Sequence, residues 1–462
     1  MRRIHTADEA INPRLIKPGS VIYASGNAAT PRVLLGQLAR DLAIKDVALY
    51  SILLLGEGLE ELFSQERCQD LTHRVIFNGP LSRAAVNRGW AKYHPLHLSE
   101  VSRHIRRASG PDIVLLTVSG PDNGGNYSLG TTVEAVPAAI ASARRRGGLV
   151  IAERNSQMPF VLGTTIPAEA IDFLLDTNYP LPRSPVPQPD DRARRIGEII
   201  AALFIRDGSG DEPGSTLQYG IGEVPEAVTD AILRRGIKNL GIHTELFSDG
   251  MIKLVENGVV TNRWKRNVSF AVSSIFLSGS ARGYEWLNYN SSVQSRPCDY
   301  TNSVFRIAEQ PRMVAINSAM GVDLHGNIWA DSLDARKIYS GVGGQSDFIR
   351  GAQSSEGGVA LIGMKSTTAA GISKIVDRSP AGITTTAIPA DQVILVTEYG
   401  AFDPRGLSMG ERAVGIAHLA PPEERERLLK LIHDDPAFHK PEVTLDKGTP
   451  GFTPYEKAVG SM

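Results

Sequence analysis

The sequence predicts an α/β protein made of two related, open, mostly parallel sheets with helices packed on their faces. Short, nearly continuous apolar runs alternate with amphipathic segments through the first half, as strands covered on both sides require. The same grammar resumes after a proline-rich break. Landmark residues in the two halves also keep a constant separation of 194 positions, the signature of an internal repeat.

In the first half the strand candidates are "SVIYASG", "DVALYSILLLG", "PDIVLLTVSG" and "GGLVIAER", and "TPRVLLGQLARDLA" is a helix. Thr30 is the predicted N-cap of that helix, with Pro31 at its first position. The polar, proline-rich stretch "NYPLPRSPVPQPDDRARR" (178 to 195) reads as a linker, which divides the chain into domains 1–185 and 186–462. "STLQYGIG", "VPEAVTDAILRRG" and "KNLGIHTELFSDG" then repeat the strand, helix and strand order. Gly220 and Pro225 each lie 194 residues beyond Gly26 and Pro31. The same offset carries Glu245 back to Ser51, so the repeat does not itself require a carboxylate there.

The 462 residues are 42% hydrophobic and 21% charged, with 49 basic against 50 acidic side chains. That balance calls for neither nucleic acid nor a membrane surface. No apolar run is long enough for a membrane span, and the start, "MRRIHTADEA", turns acidic before a signal-like core develops, so a cytoplasmic protein is expected. Cys68 and Cys298 are the only cysteines; they form no CxxC pair and read as packing residues.

Several familiar motifs fail. "GIGEVPEA" lacks the third glycine of a dinucleotide fingerprint, "GMKS" lacks the rest of a P-loop, and no GxSxG occurs. His243 and Glu245 form an HxE pair like that of zinc deaminases, but without the cysteines that complete such a site; His243 is expected to be a hydrogen-bonded neighbour, and no metal is called for. Two stretches remain. In "GIHTELFSDG" Glu245 ends a strand, where open α/β sheets bind ligands. In "YSGVGGQSDFIRGA" three glycines within 341 to 344 make either a tight turn or a loop whose N–H groups face an oxyanion. Asp347 and Phe348 read as the start of the next helix and its first core residue.

Together these two stretches resemble the class I acyl-CoA:carboxylate CoA-transferases, in the branch of 4-hydroxybutyrate CoA-transferase and the acetyl-CoA hydrolase/transferase proteins. "LQYGIGEVPEAV", "INSAMGVDLHGNI", "VTEYG", "GPLSRAAVNRGWAKYHPLHLSE", "VSGPDNGGNYSLG" and "AERNSQMP" extend the resemblance, in order, from about residue 10 to 435. It implies an active site between the two halves, with Glu245 as a nucleophile already ionised at neutral pH. Glu245 would take CoA from an acyl-CoA as a glutamyl-CoA thioester and pass it to a short-chain carboxylate in a ping-pong sequence. It further implies oxyanion or CoA contacts at Gly341, Gly343, Gly344 and Gln345, and a CoA phosphate contact at Lys365. Gln218, Gly220 and Gly222 would lie on the substrate side, although Gln218 reads equally well as a strand-end capping contact. No permanently bound cofactor is implied, CoA and acyl-CoA being substrates, and the assembly would be a homodimer or higher homo-oligomer. Two segments depart from the family pattern, "TEYGAFDPRGLSMGERA" and the aromatic-rich "SSIFLSGSARGYEWLNYN" (273 to 290); both are expected to shape the acyl pocket. A thioester hydrolase on the same scaffold is the near alternative, and a non-catalytic CoA-binding protein the distant one.

Overall fold

The protein is described by a computed structural model covering residues 1–107, 110–438 and 448–460. The remainder of the expected second domain, 439–447 and the last two residues, lies outside the described residues. The first sheet has eight strands, all parallel, in the order Arg2–Ile4, Phe173–Thr177, Leu149–Asn155, Ile113–Val118, Val21–Ala24, Val47–Ser51, Leu71–Val75 and Lys92–Tyr93. Ile113–Val118 is buried at every position, as a central strand covered on both faces must be.

The second sheet has seven strands, in the order Gly241–Ile242, Thr216–Tyr219, Met313–Asn317, Val359–Gly363, Ile394–Thr397, Gly400–Phe402 and Phe452–Pro454. The first five run parallel, and Gly400–Phe402 and then Phe452–Pro454 are added by antiparallel pairings. Between the sheets, residues 178–190 form no helix or strand, and the helix Asp191–Leu203 follows. Asp190 caps that helix by accepting the Ala193 N–H at 2.9 Å, so the final residues of the proline-rich stretch are helical rather than linker.

The repeat is visible in the strand order. Val21–Ala24 lies between Val47–Ser51 and Ile113–Val118, and Thr216–Tyr219 lies between Gly241–Ile242 and Met313–Asn317. Each half thus reverses its strand order at its first long strand, and a crevice opens there at the carboxyl ends. The register refines the expected equivalence. Ile22 pairs with Leu49 whereas Thr216 pairs with Gly241, so the segment between paired strands is two residues shorter in the second half. By sheet register Ser51 corresponds to His243, and Glu245 corresponds to Leu53.

Two helix starts also differ from expectation. The first helix is Arg32–Arg40, with Pro31 at its N-cap position, and Thr30 does not cap it. The Thr30 hydroxyl donates to the Asn27 carbonyl at 2.8 Å and accepts the Leu55 N–H at 3.0 Å, stitching together two strand-end loops instead. The later helix is Gln345–Ser354, with Gly344 as N-cap, so Asp347 lies inside its first turn. Phe348 is fully buried, as expected of a core residue.

Candidate active site

Glu245 follows the shortest strand of the second sheet. The His243 N–H still reaches the Leu217 carbonyl at 3.1 Å, after which the chain turns away and the Thr244 N–H bonds to Val272 O at 3.1 Å. The Glu245 carbonyl then receives the N–H groups of Ser274 (3.1 Å) and Ile275 (2.9 Å) and the Ser273 hydroxyl (2.9 Å). Three donors on one carbonyl fix the Glu245 backbone, and its side chain lines a cavity.

That cavity has a volume of about 360 Å³ and is lined from both halves. Asn27, Leu53 and Phe77 reach it from the first sheet; Gln218, Gly220, Glu245, Ile316, Asn317 and residues 340–345 reach it from the second. In each case the residue lies at or just beyond the carboxyl end of a strand, where the two crevices meet.

The Glu245 carboxyl is held by one side chain and one loop. Asn302 donates its Nδ2 to Glu245 Oε2 at 2.8 Å, and the Thr301 hydroxyl at 2.8 Å on Asn302 Oδ1 fixes which end of the amide faces the carboxylate. His243 donates its Nε2–H to the Thr301 carbonyl at 2.9 Å, and burial drives its pKa down to about 3. It is therefore a neutral brace behind the Asn302 segment, the hydrogen-bonded neighbour that was expected.

The glycine loop closes over the other side. Gly343 has φ +59, which costs a side-chain-bearing residue but not glycine, and its carbonyl accepts the Leu98 N–H of the first half at 3.0 Å. At Gly344 a Cβ would come within 1.9 Å of Glu245 Oε2 and 2.1 Å of Asn302 Nδ2, so only glycine admits this approach. Gly344 is also the N-cap of Gln345–Ser354, and the positive end of that helix faces Glu245. Asp347, in its first turn, accepts the Ser99 N–H at 3.1 Å and hydroxyl at 2.7 Å, which ties the helix start to the first half.

Enclosure by protein raises the Glu245 pKa from an ordinary carboxylate value to about 7. The Asn302 amide opposes the rise, the Asp347 charge adds to it, and the Gly344 N–H opposes it. A carboxylate fully ionised at neutral pH was expected, and burial is the reason for the difference. A second acid lies behind it. Glu134 Oε1 accepts the Asn27 Nδ2–H at 2.6 Å, and burial, reinforced by the charge of Glu245, lifts Glu134 to about 8.

Glu245, Gly341, Gly343, Gly344, Gln345, Gln218 and Gly220 thus come together around one cavity. Gln218 and Asn317 exchange long amide contacts of 3.4 Å across the tips of neighbouring strands. The Gln345 side-chain nitrogen is buried with no partner among the described residues. Gly222 does not line the cavity; with φ +129 it is the N-cap of the helix Glu223–Arg234. Lys365 does not line it either, being held between Asp190 at 2.9 Å and Glu223. From the aromatic-rich segment only Leu277 reaches the cavity, while Ala281, Tyr284, Glu285 and Asn288 line a separate one of about 480 Å³ that contains none of the expected site residues. The segment 397–413 contributes nothing to the Glu245 cavity wall. Sequence reasoning missed Asn302, Asn27, Leu53, Phe77 and Glu134. None sits in a spaced motif with Glu245.

The sequence profile of the acetyl-CoA hydrolase/transferase N-terminal domain matches residues 1–182, and that of the C-terminal domain matches residues 279–432. The chain belongs to the acetyl-CoA hydrolase/transferase family. It is 34% identical to the 4-hydroxybutyrate coenzyme A transferase of Clostridium kluyveri over 92% of this chain and 96% of that one. It is also 34% identical to the succinyl-CoA:acetate/propanoyl-CoA:succinate CoA transferase of Fasciola hepatica, over 91% of this chain and 86% of the relative. Among solved structures, RipA from Yersinia pestis superposes with a TM-score of 0.84 at 30% identity, covering 95% of this chain and 98% of that chain.

Three outcomes follow from the geometry. If Glu245 attacks a thioester it must do so ionised, and kcat/KM for an acyl-CoA should then rise with pH, reach half its plateau near the Glu245 value of about 7, and level off above it. Asn302→Ala removes the donor that favours the anion, so the midpoint should move upward and the value at pH 7 should fall by about tenfold to a hundredfold. A pH–rate profile of both proteins checks this. Gly344→Ala forces Glu245 and Asn302 aside, so activity should fall by about a hundredfold or more while circular dichroism stays native, since the displaced atoms are side-chain tips.

Proposed function

We propose that this protein is an acyl-CoA:carboxylate CoA-transferase that works through a glutamyl-CoA thioester on Glu245. The observation that carries the reading is a single carboxylate aimed into a two-sided cavity, held by Asn302 and facing the N–H groups of a glycine loop at a helix start. Nucleophile and oxyanion donors are the two parts that acyl transfer needs within reach of one carbonyl carbon.

In the proposed sequence a Glu245 oxygen attacks the acyl-CoA carbonyl carbon. The carbonyl oxygen becomes an oxyanion facing the Gly343 and Gly344 amides. Collapse breaks the C–S bond, releases CoA thiolate and leaves an acyl-glutamyl anhydride. The thiolate then adds to the Glu245 carbonyl carbon and expels the first carboxylate, giving the glutamyl-CoA thioester. An incoming carboxylate attacks that thioester, and the same steps in reverse return a new acyl-CoA and free Glu245. No external base is needed, because both nucleophiles are anions and no proton changes hands. One oxyanion donor is typically worth about 3 kcal/mol in such a step. Asn302 has the further task of orienting the carboxylate that leaves and re-forms.

Hydrolysis on the same scaffold is the second reading, since family members include acetyl-CoA hydrolases. Water would then intercept the anhydride or the enzyme thioester. Free CoA release from acetyl-CoA, measured with and without an acceptor acid, separates the two: a transferase forms a new acyl-CoA only with the acceptor and releases little free CoA in its absence. Glu245→Ala should abolish exchange of CoA between acyl groups, by more than about a thousandfold, and retained exchange would remove Glu245 from the mechanism.

A further inference from the structure

Among the described residues lining the Glu245 cavity there is no lysine, arginine or histidine, and Glu245 is its only carboxyl group. Its apolar walls are Leu53 and Phe77 from the first half and Leu277 and Ile316 from the second; Asn27 is the polar group on the first-half side, and Gln218, Asn317 and Gln345 are uncharged polar groups on the other. The Asn27 amide nitrogen is already committed to Glu134 at 2.6 Å. Glu134 is fully buried behind this wall, and its Oε2 has no partner among the described residues.

Lys365 sits between Asp190 and Glu223, and the Arg32 guanidinium donates to the Glu57 carbonyl and lies over the Tyr179 ring. The acids at the cavity are Glu245 itself and, behind the glycine loop, Asp347, at the N-terminal end of the helix Gln345–Ser354; Glu134 behind Asn27, raised to about 8 by burial, is mostly neutral at pH 7. A second carboxylate carried in on the acyl chain would lose its hydration against leucine and phenylalanine and gain no counter-ion from the cavity wall.

On this basis, and resting on the transferase reading above, we infer that the acyl group handled here is uncharged, so that the substrates are short-chain monocarboxylates and their CoA thioesters rather than dicarboxylates. The specificity-determining wall is Leu53, Phe77 and Asn27, each at the carboxyl end of a strand or strand-end loop in the first half.

The test compares three acceptors with acetyl-CoA as donor and the unmodified protein: butanoate, succinate, and monomethyl succinate, which keeps the succinate chain but masks its far charge. Butanoate and monomethyl succinate should both be converted to their CoA thioesters, and succinate should be at least about a hundredfold poorer in kcat/KM. Succinate within tenfold of butanoate would overturn the inference. So would rejection of succinate and its ester alike, because size rather than charge would then be excluding them. Failure of all three acids to accept CoA would instead refute the transferase reading and take the inference with it.

Discussion

The hydrogen bond from Asn302 to Glu245, 2.8 Å long, is the contact on which the rest of the site depends. A carboxylate in an enclosed cavity is pushed toward its neutral, unreactive form, and the acid at Asp347 pushes it further the same way. The Asn302 amide and the Gly344 N–H oppose that drift. Much of the surrounding architecture serves to keep them in place: Thr301 orients the amide, His243 braces the Thr301 carbonyl, and Ser99 anchors the helix that begins at Gly344. The balance leaves Glu245 near neutrality, where a carboxylate is a better nucleophile than one at its ordinary pKa and is still substantially ionised.

The two-fold repeat supplies the space for this arrangement. Each half opens a crevice where its strand order reverses, and the two crevices share one cavity. The halves then diverge in what they present there. At the position where the second half carries Glu245, the register of the first half puts Leu53, on the opposite wall. One half thus contributes the proposed reacting group and its donors, and the other contributes an apolar surface.

The parts legible in the sequence were those with local patterns. Apolar runs gave the strands, the constant spacing gave the repeat, and the strand-end position of Glu245 together with the glycine run 341–344 pointed to the site. What stayed hidden depends on distance along the chain. Asn302 is 57 residues from Glu245, and Asn27 is 107 from Glu134, with no periodicity linking either pair. The Thr30 and Asp347 helix starts were misjudged because both side chains are drawn into longer-range bonds, to Leu55 and to Ser99, in preference to local capping. The resemblance drew attention to 273–290 as an acyl pocket, yet only Leu277 of that segment reaches the Glu245 cavity while four of its residues line a different one, and Phe77, in a stretch with no special composition, lies on the wall beside Glu245.

The most direct measurement is the mass of the peptide carrying Glu245 after the protein has been incubated with acetyl-CoA and digested. The account predicts a CoA adduct on Glu245 that disappears when an acceptor acid is added before digestion, with the matching acyl-CoA appearing in solution. Steady turnover with no CoA on that peptide, or an adduct on any other residue, would contradict it.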